Sequence, residues 1–457
     1  MRLSASSSAD HIPTYRDAFA MAWPLGLKAL MLHGIVVIDA FLVSPLGEEA
    51  LAAMGLASAI AGLLMGVIFA FSNATQIRIA QAFGAAGPVS LKTSFYCGLF
   101  INIGMSLIGL SLVILFGDAL IARFAHTPDI AVEAVRYLHI FLFVVLFEAV
   151  GQCLAGHFNG CGKTKVPFYS YLIAVPMNIG LSYVLIHGLY GFPEMGVAGA
   201  AVGSAASSFA RVAYMVIRGV TDDWDVFAAK GWSRDSFWIA LRRHWVFALP
   251  IAGTFVSMSV ATQVCALIYA KMTVIEFAAM TLILPWVHTA GTFGMAWAQA
   301  TGIIMAQLLG RKLAPERLDV FLRRAWRGAF VSAGFVSLSY LIVILNVDWI
   351  YSDLQAETTR ALMMFLPVLL ILPFPKGSNA ICGQTLRAAG DTVRVMNIFN
   401  IGQWLFKVPL TLLFVVYLDL SVGWVFALVL LDEIVKFPLF HLRIFKGNWK
   451  TAQVLDA

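Results

Sequence analysis

Four ionisable side chains interrupt apolar stretches of this sequence. Asp39 lies within GIVVIDAFLVSPLG, Glu148 within FLFVVLFEAVGQ, Lys376 within LPFPKGSNAICG and Lys407 within NIGQWLFKVPL. A charged side chain at the centre of a bilayer costs about 2.5–3.5 kcal/mol on insertion scales, and residues of this kind mark ion, proton or substrate pathways. These four positions are therefore the first candidates for chemistry, and that chemistry is reversible binding of a proton, a cation or a charged substrate group.

A polar stripe is predicted on the helix that carries Glu148. Gln152 lies one helical turn after it, and Tyr137 and Asn159 lie about three turns before and after it, so all four share one side. In the second half of the chain, the position that corresponds to Glu148 is Lys376. The pattern is compatible with an acid and a base that both line a substrate cavity, and with a pair that only neutralises itself.

Three further charged positions have simpler interpretations. Glu433 and Lys436 are spaced i, i+3, which predicts an internal ion pair. Lys28 lies near the cytoplasmic end of its segment, where a lysine extends its ammonium group to the membrane surface. Lys407 lies near Gln403 and is a candidate for the substrate cavity.

Twelve apolar segments must position these side chains. The chain has 457 residues, of which 60% are hydrophobic and 12% charged, and its mean hydropathy is +0.84. Soluble domains are about 45–50% apolar and about 25% charged, and a membrane-spanning helix needs about 20 apolar residues. Continuous runs of this length are not the alternating pattern of a membrane β-barrel. We therefore predict an all-α integral membrane protein with twelve transmembrane helices, near 18–43, 50–77, 93–118, 133–157, 166–190, 196–219, 244–270, 276–308, 326–347, 360–386, 395–417 and 421–442.

Three pairs of matching stretches indicate an internal repeat. All three pairs are separated by the same distance along the chain, which predicts two six-helix lobes. The repeat places Pro24 opposite Pro250, and a proline inside a membrane helix frees a carbonyl group and permits bending. The pairs are WPLG at 23–26 with LPIA at 249–252, LAAM at 51–54 with FAAM at 277–280, and ATQIRIAQAFG at 74–84 with ATGIIMAQLLG at 300–310.

The repeat also predicts the domain organisation. Residues 1–218 form the N-lobe with six helices, 219–243 a basic cytoplasmic linker, and 244–457 the C-lobe with the other six. Because each lobe has an even number of helices, the repeat is parallel and its pseudo-two-fold axis runs along the membrane normal. Two such lobes enclose a central cleft, which is the architecture of a transporter.

The placement of lysine and arginine predicts the orientation. Most of these residues fall on one side, for example Arg242, Arg243 and Arg311, and this side is expected to be cytoplasmic together with both termini. The polar first residues do not resemble a cleavable signal peptide, so we expect the first span to stay in the mature protein. The net charge of +6 follows from this bias and predicts no nucleic-acid partner. The expected location is a cell membrane, with the bacterial inner membrane as the first choice.

Two apparent motifs carry no chemistry. HFNGCGKT has His157 where a P-loop needs its first glycine, and no strand precedes it. The nine histidines and five cysteines show no metal-ligand spacing, so no metal cofactor is expected. An intramembrane enzyme is disfavoured because no catalytic dyad or metal triad falls within one half of the membrane.

The chain resembles the multidrug and toxic compound extrusion (MATE) family over its whole length. The resemblance rests on the proline and intramembrane aspartate of the first helix, on PLGEEALAAMGLA, on NGCGKTKVP, on MNIGLSYVLIHGLYGFPEMGVAGAAVGS and on LRAAGDT. It implies twelve helices in two lobes with an outward-opening V-shaped cleft. It also implies export of drugs, often cationic and amphipathic, driven by inward sodium or proton flow.

The resemblance assigns roles residue by residue. Asp39 matches the first-helix carboxylate that usually couples cations, and Asn178 matches the asparagine of the same polar network. Ser182 stands where many members have a second aspartate, and Ser204 replaces a threonine. Some members carry acids in the second lobe at places that match Met258 and Lys376 of this chain, which predicts that their C-lobe cation site is absent here.

The leading hypothesis is a cation-coupled antiporter that exports small amphipathic molecules. Protons are favoured slightly over sodium, because one carboxylate suffices for a proton whereas sodium needs several oxygen ligands; sodium binding at Asp39 is the alternative. A flippase or exporter of lipid-linked or anionic polar lipids is the second hypothesis, supported by Lys376 and Lys407. The expected partners are a small-molecule substrate and the lipid bilayer, and a monomer is expected.

Overall fold

The computed structural model describes residues 12–233, 236–351 and 354–451, and these residues form helices with no strand. The first half of the chain contains six long helices, and the second half contains long helices and several shorter helical segments. In chain order the helices are α1 Tyr15–Val43, α2 Glu48–Gly84, α3 Pro88–Phe124, α4 Pro128–Gly160, α5 Lys165–His187, α6 Val197–Phe227, α7 Phe237–Tyr269, α8 Val274–Gly310, α9 Pro315–Leu345, α10 Val347–Ile350, α11 Ala356–Met364, α12 Leu366–Ile371, α13 Pro373–Ala388, α14 Thr392–Asn400, α15 Val408–Leu412 and α16 Val422–Phe445.

The lengths and compositions of these helices confirm a helical membrane protein. Ten helical spans in the described residues are long and apolar enough to cross a bilayer, or eleven if the bent pair of Ala356–Ile371 and Pro373–Ala388 counts as one span. The two parts of that pair meet at 44°. The predicted segment at 421–442 corresponds to α16, which carries Asp432, Glu433 and Lys436 within its apolar sequence. The count of twelve transmembrane helices therefore stays a prediction.

Local sequence signals explain where the long helices begin. Pro88, Pro128 and Pro315 occupy the first turn of α3, α4 and α9, where the missing N–H of proline costs no hydrogen bond. Thr273 caps α8, because its hydroxyl accepts a hydrogen bond from the Glu276 backbone while the Glu276 side chain accepts one from the Thr273 backbone. These signals set where each helix begins and hence where its polar side chains lie along the helix axis.

The segment between α14 and α16 departs from regular α-helix. Residues Ile401–Lys407 and Leu413–Tyr417 are π-helical, and the short α15 lies between them. A π-helical turn is wider than an α-helical turn and is often found at functional sites. This irregularity was not predicted from the sequence.

The described residues form two compact units. The N unit is Leu27–Val256, and the C unit comprises the described residues of Met1–Gly26 and Ser257–Asp456. The boundaries fall inside α1 and α7, shortly after Pro24 and Pro250, which both lie within their helices. The predicted lobes at 1–218 and 244–457 divide the sequence differently and stay a prediction.

Each unit has its own apolar core. The core of the N unit includes Val43, Ile121 and Ile186, which are fully buried. The core of the C unit includes Phe365 and Phe426, whose rings stack with their centroids 4.3 Å apart. Burial of such side chains holds each unit together and leaves the buried polar groups as the informative exceptions.

Candidate ion-coupling site and buried charge clusters

The carboxylate of Asp39 joins α1 to α6 and α5 through hydrogen bonds. The hydroxyl of Ser204 donates to Asp39 Oδ2 over 3.1 Å, and the same hydroxyl accepts a hydrogen bond from Asn178 Nδ2 over 3.0 Å. Asp39 is 6% exposed, and Asn178 is fully buried. The structure therefore brings together three of the four residues that the sequence assigned to ion coupling.

The fourth residue, Ser182, is held in the same region by close packing of α5 against α6. A Cβ atom on Gly203 would lie 2.2 Å from Ser182 Oγ, and a Cβ atom on Gly199 would lie 2.7 Å from the backbone nitrogen of Ile186. Only glycine permits this approach, so the two glycines let the helices carrying Ser182 and Ser204 pack at close range. Ser182 is fully buried.

Three buried oxygens of this network lack a hydrogen-bond partner among the described residues. They are Asp39 Oδ1, Asn178 Oδ1 and Ser182 Oγ. A buried acceptor without a partner is costly, and such groups in native proteins usually have a functional explanation. One carboxylate with amide and hydroxyl oxygens fits a proton on the carboxylate, and it offers oxygen ligands to a small cation. Within the described residues no group of three or more His, Cys, Asp or Glu side chains forms a metal site.

The polar side chains of α4 interact with three different sets of partners. Tyr137 lies within electrostatic range of Asp39, and its ring stacks on Phe141 with centroids 5.6 Å apart. Glu148 accepts a hydrogen bond from Gln152 over 2.7 Å. Asn159 donates to Gln76 Oε1 over 3.0 Å. The members of the predicted stripe therefore have different partners, and the role of Tyr137, Glu148 and Gln152 in a substrate cavity stays a prediction.

Glu148 forms a buried ion pair with Arg211. The guanidinium Nη2 of Arg211 donates to Glu148 Oε1, and Ser208 donates to the same oxygen over 3.3 Å. Glu148 is 4% exposed and Arg211 is 1% exposed. Arg211 therefore supplies a counter-charge for Glu148 within the N unit, and a contact between Glu148 and Lys376 stays a prediction.

Two cations surround this carboxylate. The carbon Cζ of Arg211 lies 4.6 Å from the centroid of the Tyr171 ring, a cation–π contact. Lys28 interacts electrostatically with both Glu148 and Arg211. Lys28 is half-buried, and its interpretation as a residue that extends its ammonium group to the membrane surface stays a prediction. Sequence reasoning missed Arg211, although it lies two helical turns after Ser204 and therefore on the same side of α6.

The C unit contains a second charge cluster, centred on α16. Lys436 Nζ donates to Glu433 Oε1 over 2.8 Å, which confirms the predicted i, i+3 ion pair. It also donates to Asp432 Oδ2 over 3.0 Å, a contact that the sequence analysis did not include. Lys376 interacts electrostatically with Glu433, Asp432, Lys436 and Lys407. The two lysines proposed for the substrate cavity therefore belong to a mixed cluster of three ammonium groups and two carboxylates.

Lys376 also borders a small cavity. The cavity has a volume of about 20 Å³ and is lined by Gly291, Tyr340, Lys376 and Gly377 together with apolar side chains. This volume is enough for about one water molecule. Lys407 lies at the end of the π-helical segment, where its carbonyl accepts a hydrogen bond from Thr411 over 2.7 Å.

Comparison with known proteins places these sites in a family context. The MatE family model matches residues 24–184 and 250–413. The chain is 24% identical over 406 residues to the protein named Probable multidrug resistance protein NorM of Rhizobium meliloti (strain 1021), covering 84% of this chain and 85% of the relative. It is 24% identical over 436 residues to Uncharacterized transporter YisQ of Bacillus subtilis (strain 168), covering 94% of each. The fold is similar to the crystal structure of the eukaryotic MATE transporter AtDTX14, with a TM-score of 0.83, 16% identity and 96% of each chain covered.

Proposed function

The chain belongs to the MatE family of multidrug and toxic compound extrusion transporters, and from this premise we propose that it is a cation-coupled antiporter. It exports small amphipathic organic compounds by alternating access, with Asp39 as the residue that binds and releases the coupling ion. The name of its Rhizobium meliloti relative supports multidrug resistance as the activity. Pro24 and Pro250 provide the bends at which α1 and α7 change shape during the cycle.

The observation that carries this proposal is the electrostatic isolation of Asp39. Glu148 is bound by Arg211, and Asp432 and Glu433 are bound by Lys436, whereas Asp39 accepts a hydrogen bond from the neutral hydroxyl of Ser204. A carboxylate held by neutral donors can be neutralised by an incoming proton or cation, whereas a carboxylate held by a fixed ammonium or guanidinium group is already compensated. Asp39 is therefore the carboxylate suited to cycling.

Protons are the favoured coupling ion. A proton needs only the carboxylate of Asp39, whereas sodium would need several oxygens, and the second aspartate of many MATE members is Ser182 here. One proton that moves down a potential of about 100 mV supplies roughly 2.3 kcal/mol, which supports nearly a fifty-fold gradient of a neutral substrate. Sodium is the alternative, because the unpaired oxygens of Asn178 and Ser182 could complete a ligand set.

A second candidate function is export of anionic or lipid-linked compounds. The observation in its favour is a cluster in the C unit in which three ammonium groups, of Lys376, Lys407 and Lys436, interact with the two carboxylates of Asp432 and Glu433. Surplus positive charge would bind an acidic head group and would repel a cationic drug. Transport of an amphipathic cation by the reconstituted protein would count against this second function.

Reconstitution separates the coupling ions. Purified protein in liposomes is given either a pH gradient without sodium or a sodium gradient without a pH difference, and accumulation of a fluorescent amphipathic cation is followed. Accumulation with the pH gradient alone is the expected result. Accumulation under the sodium gradient but not under the pH gradient would assign sodium as the coupling ion. No accumulation under either gradient would refute cation coupling for this substrate class.

A further inference from the structure

The ammonium group of Lys436 lies between two carboxylates inside the C unit. Its Nζ atom is 3.0 Å from Asp432 Oδ2 and 2.8 Å from Glu433 Oε1. Lys436 is 2% exposed, and its Nζ atom is also 4.9 Å from the centroid of the Phe399 ring. A lysine with this degree of burial is held in place by its partners and does not extend toward water.

Three buried carboxylate and amide oxygens of the C unit are unpaired among the described residues. Asn379 Nδ2 donates to Glu433 Oε2 over 2.8 Å, but Asn379 Oδ1 has no hydrogen-bond partner among the described residues. The same holds for Gln403 Oε1 and Asp432 Oδ1. Asn379 is 4% exposed and Gln403 is 5% exposed, so water does not replace the missing partners freely. Every unpaired atom of this set accepts hydrogen bonds, and carboxylate and amide oxygens are the ligands that hard cations prefer.

The π-helical segment brings backbone atoms against this set of oxygens. A Cβ atom on Gly402 would lie 2.6 Å from Asp432 Oδ1 and 3.1 Å from Lys436 Cγ. Glycine at this position therefore lets the wide turn of Ile401–Lys407 pack directly on the two charged side chains. The adjacent residue is Gln403, which carries one of the unpaired oxygens.

We propose that Asp432, Glu433, Asn379 and Gln403 form a monovalent-cation cage whose permanent occupant is the ammonium group of Lys436. The C unit thus carries its own tethered cation and exchanges none with solvent. Lys376 and Lys407, the other charged groups that act on the two carboxylates, add positive charge and oppose entry of a free cation. The consequence for coupling rests on the proposed function: ion exchange then occurs at Asp39 alone.

Replacing the tethered cation should make the cage bind sodium. The test uses Lys436→Gln in an Asp39→Asn background, so that the N-unit site cannot respond. Thermal unfolding of the purified protein is measured in NaCl and in choline chloride at equal ionic strength. We expect sodium to raise the Tm of this variant by roughly 2–5 °C, as selective binding to the folded state does. The Asp39→Asn protein with Lys436 intact should show equal Tm values in the two salts.

Matched variants decide between cage binding and a general salt effect. The combination Asp432→Asn, Glu433→Gln and Lys436→Gln keeps the shapes but removes the charges, and its sodium response should vanish. If Lys436→Gln alone does not fold, Lys436→Met removes the same ammonium group, keeps both carboxylates and an unbranched side chain, and should show the same response. A folded variant with a charged cage and no sodium-specific shift would overturn the proposal, and so would a sodium-specific shift in the protein with Lys436 intact. Neither result depends on transport, so the cage can fail while the antiport proposal stands.

Discussion

Replacing Glu148 by Gln should destabilise the protein more than replacing its partner Arg211 by Met. Both side chains are buried, at 4% and 1% exposure, and removal of one partner from a buried ion pair costs about 3–5 kcal/mol. Glu148→Gln leaves the buried Arg211 and the half-buried Lys28 without the carboxylate that interacts with both. The full penalty of about 3–5 kcal/mol is therefore expected for this variant.

The opposite substitution leaves Glu148 with other partners. In Arg211→Met, Gln152 and Ser208 still donate to the two carboxylate oxygens, and Lys28 supplies a nearby positive charge. Each hydrogen bond to a charged group contributes about 1.5–3 kcal/mol, so we expect a loss of only about 2–3 kcal/mol. The double variant should lose about as much as Arg211→Met alone, because it leaves neither Arg211 nor Glu148 as a buried charge without its partner.

Thermal unfolding of detergent-purified protein measures these differences as changes in Tm. Glu148→Gln should lower Tm by on the order of 10 °C, and Arg211→Met by about half as much. Arg218→Met is the matched control on the same helix, because its ion pair with Asp222 is solvent-exposed and such pairs contribute about 0–1 kcal/mol. The reasoning is refuted if the losses of the two single variants add in the double variant to within about 0.5 kcal/mol, or if Arg211→Met is the more damaging change.

Two further substitutions address the geometry around Asp39. Gly203→Val places side-chain atoms against Ser182 Oγ, since a Cβ atom alone would lie 2.2 Å from that oxygen. We expect the free energy of unfolding to fall by roughly 1–3 kcal/mol and uptake to be lost. Gly104→Val is the control, because a Cβ atom there meets open space, and this variant should be tolerated. Ser204→Ala removes the hydroxyl that donates to Asp39, so gradient-driven uptake should slow and the free energy of unfolding should fall by about 1–3 kcal/mol. Unchanged uptake rates in folded Ser204→Ala vesicles would show that this hydrogen bond is dispensable.

The sequence predicted the long, regular helices because runs of apolar residues and helix-start signals are local features. The run of apolar residues before and after Asp39 fixes one helix, and Pro88 and Pro128 mark the starts of two others. The charge partners were harder to predict. The i, i+3 spacing of Glu433 and Lys436 is a local signal and was interpreted correctly.

The partner of Glu148 is not a local feature. Arg211 lies on another helix, and the contact depends on how α4 packs against α6, which no spacing along the chain specifies. The repeat suggested Lys376, because symmetry relates positions without saying which side chains touch. The grouping of Asp39, Asn178 and Ser204 came from the family resemblance and agrees with the hydrogen bonds of the structure. Their role in ion coupling stays a prediction.

The role of Asp39 can be measured directly in proteoliposomes. Asp39→Asn keeps the shape of the side chain and removes its charge cycle, so the protein should fold, with a Tm close to that of the wild type, yet fail to accumulate an amphipathic cation under a pH or sodium gradient. Asp118→Asn is the control, because that carboxylate is 58% exposed and lies outside the network. It should accumulate substrate as the wild type does. Wild-type accumulation by folded Asp39→Asn protein would contradict the proposal and move ion coupling to another residue.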